Sequence, residues 1–431
     1  MNSGISTPQS HAANRKVFDL IPWQPLTNRN FRLLWIGQSI SLLGDQIYLV
    51  ALPLLTLQLN GSGLELATVL MATTIPRAAL ELFGGAASDQ FSPHTLILIS
   101  NAGRAVCVAI LTALIMLDSI RLWHLYPLAI ALGLADAFFY PAFKSFIASI
   151  VNQSQLASSN TLTQISNQFA KFVGPLLASL TIAAIGFGSA FSLDFLSFTI
   201  AILLLLMMKK QADETLEKEE AANRAAQSRN LFIAVREGLH YSFRDPLIRM
   251  ILILTTVLEF SFAGPFLVGL PTLVKQYFVA NPTAFGAMLS TFGGAMLLGT
   301  FLAPLIIKLR NPFLIYAGSI CVSGLLLMFI GFVRSLLVVC VMIGVIGIGA
   351  GIAQILTLTW LQSRSDPQFR GRVISVLTFA GYVFAPLSLA MAGAIVDINV
   401  KAVFIVGGIL MIVAATAAIS SKAARRFGLT Q

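Results

Sequence analysis

The sequence predicts an all-α membrane protein with twelve transmembrane helices, arranged as two pseudo-symmetric bundles of six. The chain is 57% hydrophobic and only 11% charged, with a mean hydropathy of +0.84, whereas an average soluble domain is about 25% charged. Its apolar residues fall into twelve long segments, and one long polar stretch separates the first six from the last six. The solvent for most of the side chains is therefore lipid.

Each of the twelve predicted spans reaches the length of about 20 mostly apolar residues that a bilayer-crossing helix requires. In chain order the spans cover residues 31–58, 64–88, 95–117, 122–150, 158–184, 188–208, 247–276, 283–308, 312–333, 335–362, 370–396 and 400–421. Very short turns join spans 5 and 6, 9 and 10, and 11 and 12.

The spans divide the chain into five parts. They are an N-terminal tail at 1–29, a first bundle at 30–208, a linker at 209–246, a second bundle at 247–421 and a C-terminal tail at 422–431. The first tail has no short apolar core with a small-residue cleavage site, so we expect a cytoplasmic tail rather than a signal peptide.

The linker contains a predicted amphipathic helix. Leu231, Val235, Leu239 and Phe243 recur every four residues, a spacing that places apolar side chains on one helix face. We expect this helix to lie on the membrane surface.

The basic residues predict the orientation. Of the 28 lysines and arginines, 20 lie in the tails and loops or at the span ends on the side of both termini, four lie in the loops or at the span ends on the other side, and four lie in the interior of spans. Cytoplasmic loops carry such an excess, so both termini are expected in the cytoplasm, with the helices in a bacterial plasma membrane. The same distribution explains the net charge of +10, and we expect no nucleic-acid partner.

The two halves resemble each other weakly. FVGPLLASLTIAAIG at 172–186 matches VFAPLSLAMAGAIVD at 383–397, which aligns Pro175 with Pro386. Internal repetition of this kind is typical of transporters whose site lies between two similar bundles. Packing of small residues between membrane helices is the alternative explanation.

Several ionisable side chains fall in the interior of spans, away from their ends. Each costs about 2.5–3.5 kcal/mol at the centre of a bilayer, so such residues turn inward, pair or line water. They are Asp45, Arg77, Glu81, Arg104, Asp136, Lys144, Lys171, Asp194 and Glu259.

Asp45 belongs to a polar stripe on span 1. Gln38, Ser41, Asp45 and Tyr48 follow one another at intervals of 3, 4 and 3 residues, which places them along one face of a helix. The stripe predicts a helix that faces a wet cavity, with Asp45 acting in coupling or in substrate binding. A structural role in hydrogen bonding is the alternative.

Spans 4 and 5 carry similar stripes, with Asp136 and Tyr140 on the first, and Gln164 and Asn167 on the second. Aromatic side chains near these positions suit a bulky amphipathic substrate, and plain packing is the alternative. The predicted cavity residues are Gln38, Ser41, Tyr48, Phe139, Tyr140, Gln164, Asn167 and Tyr382.

Glu259 lies about twelve residues into span 7, and its own helix holds no basic residue at that depth. A membrane carboxyl group without a partner is suited to binding and releasing a proton. Asp45 and Glu259 are therefore the leading proton-coupling candidates, and Asp136 is the alternate.

Several segments resemble a known family. The opening NRNFRLLWIGQSISLLGDQIYLVALPLL resembles the branch of the major facilitator superfamily that holds macrolide-efflux proteins and the enterobactin exporter. The segments around YPAFKSFIASIVNQSQLASSN and RGRVISVLTFAGYVFAPLSLAMAG resemble spans 4–5 and span 11 of that branch. The resemblance implies the major facilitator fold.

Two family motifs can be placed. GAASDQFSPH supplies the Gly85 and Asp89 of the signature between spans 2 and 3, although its basic residues are missing. In the family this Asp faces the N-terminus of span 11 and latches the cytoplasmic side, a role in which Arg104 could replace the missing bases. Gly174-Pro175 matches the core of the antiporter motif of span 5, without its flanking glycines.

The resemblance implies a secondary transporter that exports an amphipathic small molecule, such as a drug, macrolide or siderophore, by alternating access and proton-coupled antiport. Its expected partners are the substrate, membrane lipid and protons; we expect a monomer, no cofactor and no enzymatic activity. A lysophospholipid flippase of the same fold and a transporter-like membrane sensor are the alternatives. No GxxxxGK[ST] loop is present for direct use of ATP.

Overall fold

The computed structural model describes residues 23–59, 61–90, 92–208, 231–307, 309, 311–366 and 369–421, without the side chains of 81–90, 231–237, 380 and 382. Most of both predicted tails and the 209–230 part of the linker lie outside these residues, as do the side chains of Leu231 and Val235. The five-part division of the chain therefore stays a prediction.

The N-terminal bundle consists of six helices. They are α1 (Arg29–Gln58), α2 (Gly63–Gln90), α3 (Pro93–Met116), α4 (Leu122–Ile150) and the helix Leu156–Leu206, which Gly186 divides into α5 (156–185) and α6 (187–206). Gly186 has φ 83°, in the left-handed region that favours glycine, and breaks the helix. The chain reverses there, because Gly174 before it and Asp194 after it both pack against α1.

A surface helix and six further helices follow. They are α7 (Leu231–Arg244), α8 (Pro246–Tyr277), α9 (Pro282–Ile307), α10 (Pro312–Ile330), α11 (Leu336–Arg364), α12 (Arg370–Val396) and α13 (Val400–Ser420). Tyr241 of α7 stacks on Phe369 at 4.4 Å between ring centroids, so α7 docks at the start of α12.

Helix α8 contains a π-helical turn at Pro265–Gly269, just after Glu259. The hydroxyl of Ser388 on α12 is inserted into the ladder before this turn. It accepts from the N–H of Gly264 at 2.8 Å and donates to the carbonyl of Phe260 at 2.5 Å. An inserted side chain of this kind is a recognised cause of local helix distortion.

Membrane insertion is confirmed. Among the described residues, ten helices are long and apolar enough to cross a membrane. One of the ten, Gln153–Leu206, crosses twice because the chain reverses at Gly186, which gives eleven crossings. Helix α2, which is not among the ten, is the twelfth. Large apolar side chains such as Phe301 and Leu337 are more than two-thirds exposed on the outer surface, where lipid rather than water suits them.

The two bundles share one packing pattern. In the first, α2 packs on α4, α3 on α6, and α1 on α5 and α6; in the second, α9 packs on α11, α10 on α13, and α8 on α12 and α13. The same pairs recur six spans later in the chain, which confirms the pseudo-symmetric arrangement.

The bundles meet through two helix pairs, α5 with α9 and α2 with α12. We call the end where α1 begins and α13 ends the terminal face, and the other end the opposite face. A glycine of α12 shows how close this contact is near the opposite face. A Cβ on Gly393 would lie 2.5 Å from Ala67 Cβ of α2. The bundles are therefore closely packed at the opposite face.

Candidate functional site

Four helices of the N-terminal bundle bring their charged side chains into one cluster. Arg104 of α3 contacts the Asp136 carboxylate of α4 directly and lies 3.9 Å from Asp45 of α1. Arg77 of α2 lies 3.7 Å from Asp136. Asp136 is thus held between two guanidinium groups, while Asp45 makes only the looser contact with Arg104.

Aromatic rings surround the two arginines. The guanidinium of Arg104 lies 4.3 Å from the ring centroid of Phe139, and that of Arg77 lies 5.0 Å from Tyr140. A desolvated cation over a ring face gains about 2 kcal/mol. These contacts hold both cations at membrane depth.

Exposure separates the cluster into an inner and an outer part. The side chain of Arg104 is 3% exposed, whereas those of Asp45, Asp136 and Arg77 are 33%, 24% and 20% exposed. Asp45 is therefore the most accessible ionisable group of the cluster.

The residues of the predicted polar stripe on span 1 also differ in their exposure. Ser41 is fully buried, Gln38 is buried, and Tyr48 contacts Phe191 of α6 edge-to-face at 6.3 Å. Phe139 is also buried. Gln38, Ser41 and Phe139 offer little surface to a ligand in this conformation, whereas Tyr48 is half-buried. The assignment of all four as substrate contacts stays a prediction.

The remaining predicted cavity residues are more open. Gln164 is exposed, and Asn167 and Tyr140 are half-buried. The side chain of Tyr382 lies outside the described part of the structure.

Glu259 is influenced by a charge on the other bundle, with which it forms no ion pair within 4 Å. It is exposed on α8, and the charge that acts on it electrostatically is that of Lys171 on α5. In the sequence, Lys171 lies four residues after Asn167 on span 5, and nothing in its spacing relates it to Glu259. The bundles therefore oppose a base and an acid near their contact.

The two family motifs have different surroundings. Gly85 and Asp89 belong to α2, but their side chains lie outside the described part of the structure. Arg104, considered as a substitute in that latch, has its guanidinium committed to Asp136 and Asp45 inside the bundle. Gly174 packs against Gln46 of α1.

Pro175 belongs to the contact between the bundles. A Cβ on Gly286 of α9 would lie 2.5 Å from the Pro175 carbonyl oxygen, and one on Gly293 would lie 2.7 Å from the carbonyl carbon of Lys171. Glycine on α9 thus permits close approach to α5 at the antiporter-like motif.

A polar latch joins the bundles at the opposite face. Asp397, at the end of α12, accepts hydrogen bonds from the N–H groups of Gly63 and Leu64 at 2.6 and 3.0 Å. These amides begin α2, so the carboxylate also meets the positive end of that helix. In the sequence, Asp397 is distinguished only as the last residue of the repeated segment at 383–397.

A lysine acts beside this latch. Lys275 of α8 donates to the carbonyl oxygens of Leu57 and Gly61 at 3.0 and 3.3 Å. An acid and a base of the second bundle therefore hold the two ends of the α1–α2 connection.

Comparisons with known proteins agree with this architecture. The family model described as Major Facilitator Superfamily matches residues 34–389. The chain is 26% identical over 363 residues to the multidrug efflux pump Tap of Mycolicibacterium fortuitum, covering 82% of this chain and 86% of that protein. It is 20% identical over 389 residues to the macrolide efflux protein A of Streptococcus pyogenes, covering 89% and 93%.

Solved structures show the same fold. The nucleoside transporter NupG superposes with a TM-score of 0.69 at 12% identity, covering 91% of this chain and 98% of that one. A bacterial homologue of the iron transporter ferroportin, in an inward-facing state, gives a TM-score of 0.64 at 15% identity, covering 91% and 99%.

Proposed function

Because this chain belongs to the Major Facilitator Superfamily of transporters, we propose that it exports an amphipathic small molecule by proton-coupled antiport. One observation carries the proposal. The two bundles are closely packed at the opposite face, and an ionisable side chain of each, Asp45 and Glu259, remains accessible. Rocking the bundles about this contact would expose the site to each side of the membrane in turn.

The relatives and the side chains support an amphipathic substrate. Both relatives described above are named as efflux proteins, one for multiple drugs and one for macrolides. The amides of Gln164 and Asn167 and the ring of Tyr140 retain accessible surface. Such a mixture of polar and aromatic groups suits a molecule with both characters better than a small ion.

The ion-pair geometry supports Asp45 rather than Asp136 as the proton carrier in the first bundle. Asp136 touches two guanidinium groups, so its protonation would leave the buried Arg104 and the half-buried Arg77 without their shared anion. Asp45 makes one loose contact at 3.9 Å and is one-third exposed. Glu259 faces the charge of Lys171 across the bundles and is the second proposed carrier.

The proposal assigns the terminal face to the cytoplasm of a bacterial cell. The excess of basic residues in its loops supports this orientation. The described conformation, with the bundles closely packed at the opposite face, is then one that is closed toward the outside of the cell.

Transport by purified protein in liposomes tests the proposal. A pH gradient is imposed, and uptake of labelled macrolides, siderophores and lysophospholipids is measured. We expect one class of drug or siderophore to accumulate with the gradient, and Asp45→Asn together with Glu259→Gln to abolish the effect of the gradient. Asp118→Asn is the matched control, because Asp118 is an exposed loop carboxylate remote from the cluster.

Transport that ignores the pH gradient in the wild type, and survives the double substitution, would contradict proton coupling. Movement of lysophospholipid alone, without a gradient, would replace the exporter with the flippase alternative.

A further inference from the structure

Asp194 of α6 is a buried carboxyl group that the proposed mechanism leaves unused. Its exposure is 0%, and neither side-chain oxygen has a hydrogen-bond partner among the described residues. An ionised carboxylate in such a place would cost several kcal/mol, because no donor among the described residues compensates its charge. The surroundings therefore favour the neutral acid, with a proton on one oxygen.

The balance of charges in the cluster is an independent reason to expect that Asp194 is neutral. Three carboxyl groups, Asp45, Asp136 and Asp194, act on one another electrostatically, and Arg77 and Arg104 are the two guanidinium groups among them. Both guanidinium groups already contact other carboxylates. With Asp194 neutral, two anions balance two cations.

Arg104 lies near Asp194 and has an N–H group without an acceptor in the part of the chain that the structure describes. Its guanidinium carbon lies 5.7 Å from the ring of Phe198, one helical turn after Asp194 on α6. Its Nε is buried and has no hydrogen-bond acceptor among the described residues. An unused donor and two unused acceptors thus lie in one desolvated cluster.

Asp194 also lies against α1 at Gly44, the residue before Asp45. A Cβ on Gly44 would lie 2.5 Å from Oδ1 of Asp194, and Asp45 is the next residue. The groups that face Asp194 are Asp45 and Tyr48 from α1, Arg104 from α3 and Asp136 from α4. Of the carboxyl groups among these, Asp45 forms the looser ion pair, at 3.9 Å from Arg104.

We propose that Asp194 is a second proton-binding site of the N-terminal bundle, which shares one proton with Asp45 through competition for Arg104. In the described conformation the proton is on Asp194, and Asp45 is ionised beside Arg104. When Arg104 turns to Asp194, the O–H bond of Asp194 breaks and an O–H bond forms on Asp45. The number of protons and the net charge stay constant, and the proton reaches the accessible carboxyl group.

The inference deepens the proposed function, since a shared proton would serve coupling, but its test requires no transport. Infrared spectra of the protein in liposomes at neutral pH report the carbonyl stretch of a protonated carboxylic acid, which a carboxylate lacks. We expect Asp194→Asn to remove the intensity of one such group. Asp45→Asn should also reduce this band, because Arg104 is then free to pair with an ionised Asp194. Asp118→Asn should leave the band unchanged.

Two results would overturn the proposal. If Asp194→Asn keeps the full band, Asp194 holds no proton. If Asp45→Asn keeps it, the two residues do not share one. Should Asp194→Asn fail to fold, wild-type protein carrying a heavy-carbon label on its aspartate carboxyls replaces it. A band that does not shift with the label belongs to no aspartate and refutes the assignment, whereas a shifted band supports it.

Discussion

Removal of the Asp397 carboxylate should loosen the opposite face. Asp397 of α12 accepts from the first two amides of α2 at 2.6 and 3.0 Å, while Ser62 accepts from the next amide, that of Glu65, at 3.1 Å. The α2 N-terminus is thus capped partly by its own bundle and partly by the other. When the bundles part at this face, Gly63 and Leu64 lose their acceptor, and Asp397→Ala removes it in the closed state as well.

The size of the effect follows from the type of contact. A hydrogen bond to a charged group contributes about 1.5–3 kcal/mol, and a carboxylate at an exposed helix N-terminus about 0.3–1 kcal/mol. Asp397 is exposed, so water screens it and competes for both amides. We expect a net loss of about 1–2 kcal/mol, which moves the equilibrium between closed and open opposite faces about 5- to 30-fold toward the open one.

Distances between spin labels measure this equilibrium. Labels at Ser119 and Ser335 occupy exposed loops of the opposite face, one on each bundle. They require a background without the native cysteines, Cys107, Cys321 and Cys340. Asp397→Ala should increase the population with the longer label separation, and the control Asp118→Ala, an exposed carboxylate of the same face, should not. An unchanged distance distribution in Asp397→Ala would show that the latch contributes nothing to closure.

Two other substitutions test the contacts that position the site. Gly293→Ala should lower transport and the melting temperature, because its Cβ would lie 2.7 Å from the carbonyl carbon of Lys171. The control is Gly318→Ala, whose Cβ would meet no described atom within 4 Å and which should be neutral or slightly stabilising. Equal effects of the two substitutions would contradict the tight α5–α9 contact. Arg104→Met should destabilise the protein by about 3–5 kcal/mol, because it removes a positive charge that compensates Asp45 and Asp136. Adding Asp136→Asn removes one of these negative charges and should restore part of the lost stability, as measured by thermal unfolding. The matched control is Lys144→Met, an exposed lysine of α4, and a comparable loss there would argue against a special role for the cluster.

The sequence predicted which charges enter the membrane but not how they pair. Hydropathy and spacing are local properties, so they located Asp45, Arg104 and Asp136 at membrane depth. Their pairing depends on how α1, α3 and α4 pack, which no single-helix pattern contains. Glu259 appeared unpartnered for the same reason, because the charge of Lys171 reaches it from the other bundle.

Helix periodicity places residues on one face without showing what that face contacts. Ser41 and Tyr48 share a stripe with Asp45, and in this conformation Ser41 is buried and Tyr48 contacts Phe191 of α6. A stripe identifies a polar face without distinguishing a cavity from a neighbouring helix. The short turn predicted between spans 5 and 6 contains Gly186, whose φ of 83° breaks the helix there.

The pairing of α2 with α12 suggests how one helix pair could serve both faces. The family motif implies that Asp89, near the end of α2, faces the N-terminus of α12 when the terminal face is closed. Asp397, at the end of α12, caps the N-terminus of α2 while the opposite face is closed. Each helix would then supply the carboxylate that the other needs, at opposite ends and in opposite states. Because both contacts are of the same chemical kind, their energies nearly cancel between the two states, and a modest input from a proton or substrate suffices to shift the population. Asp89→Ala should accordingly move the same spin-label distances in the direction opposite to that of Asp397→Ala.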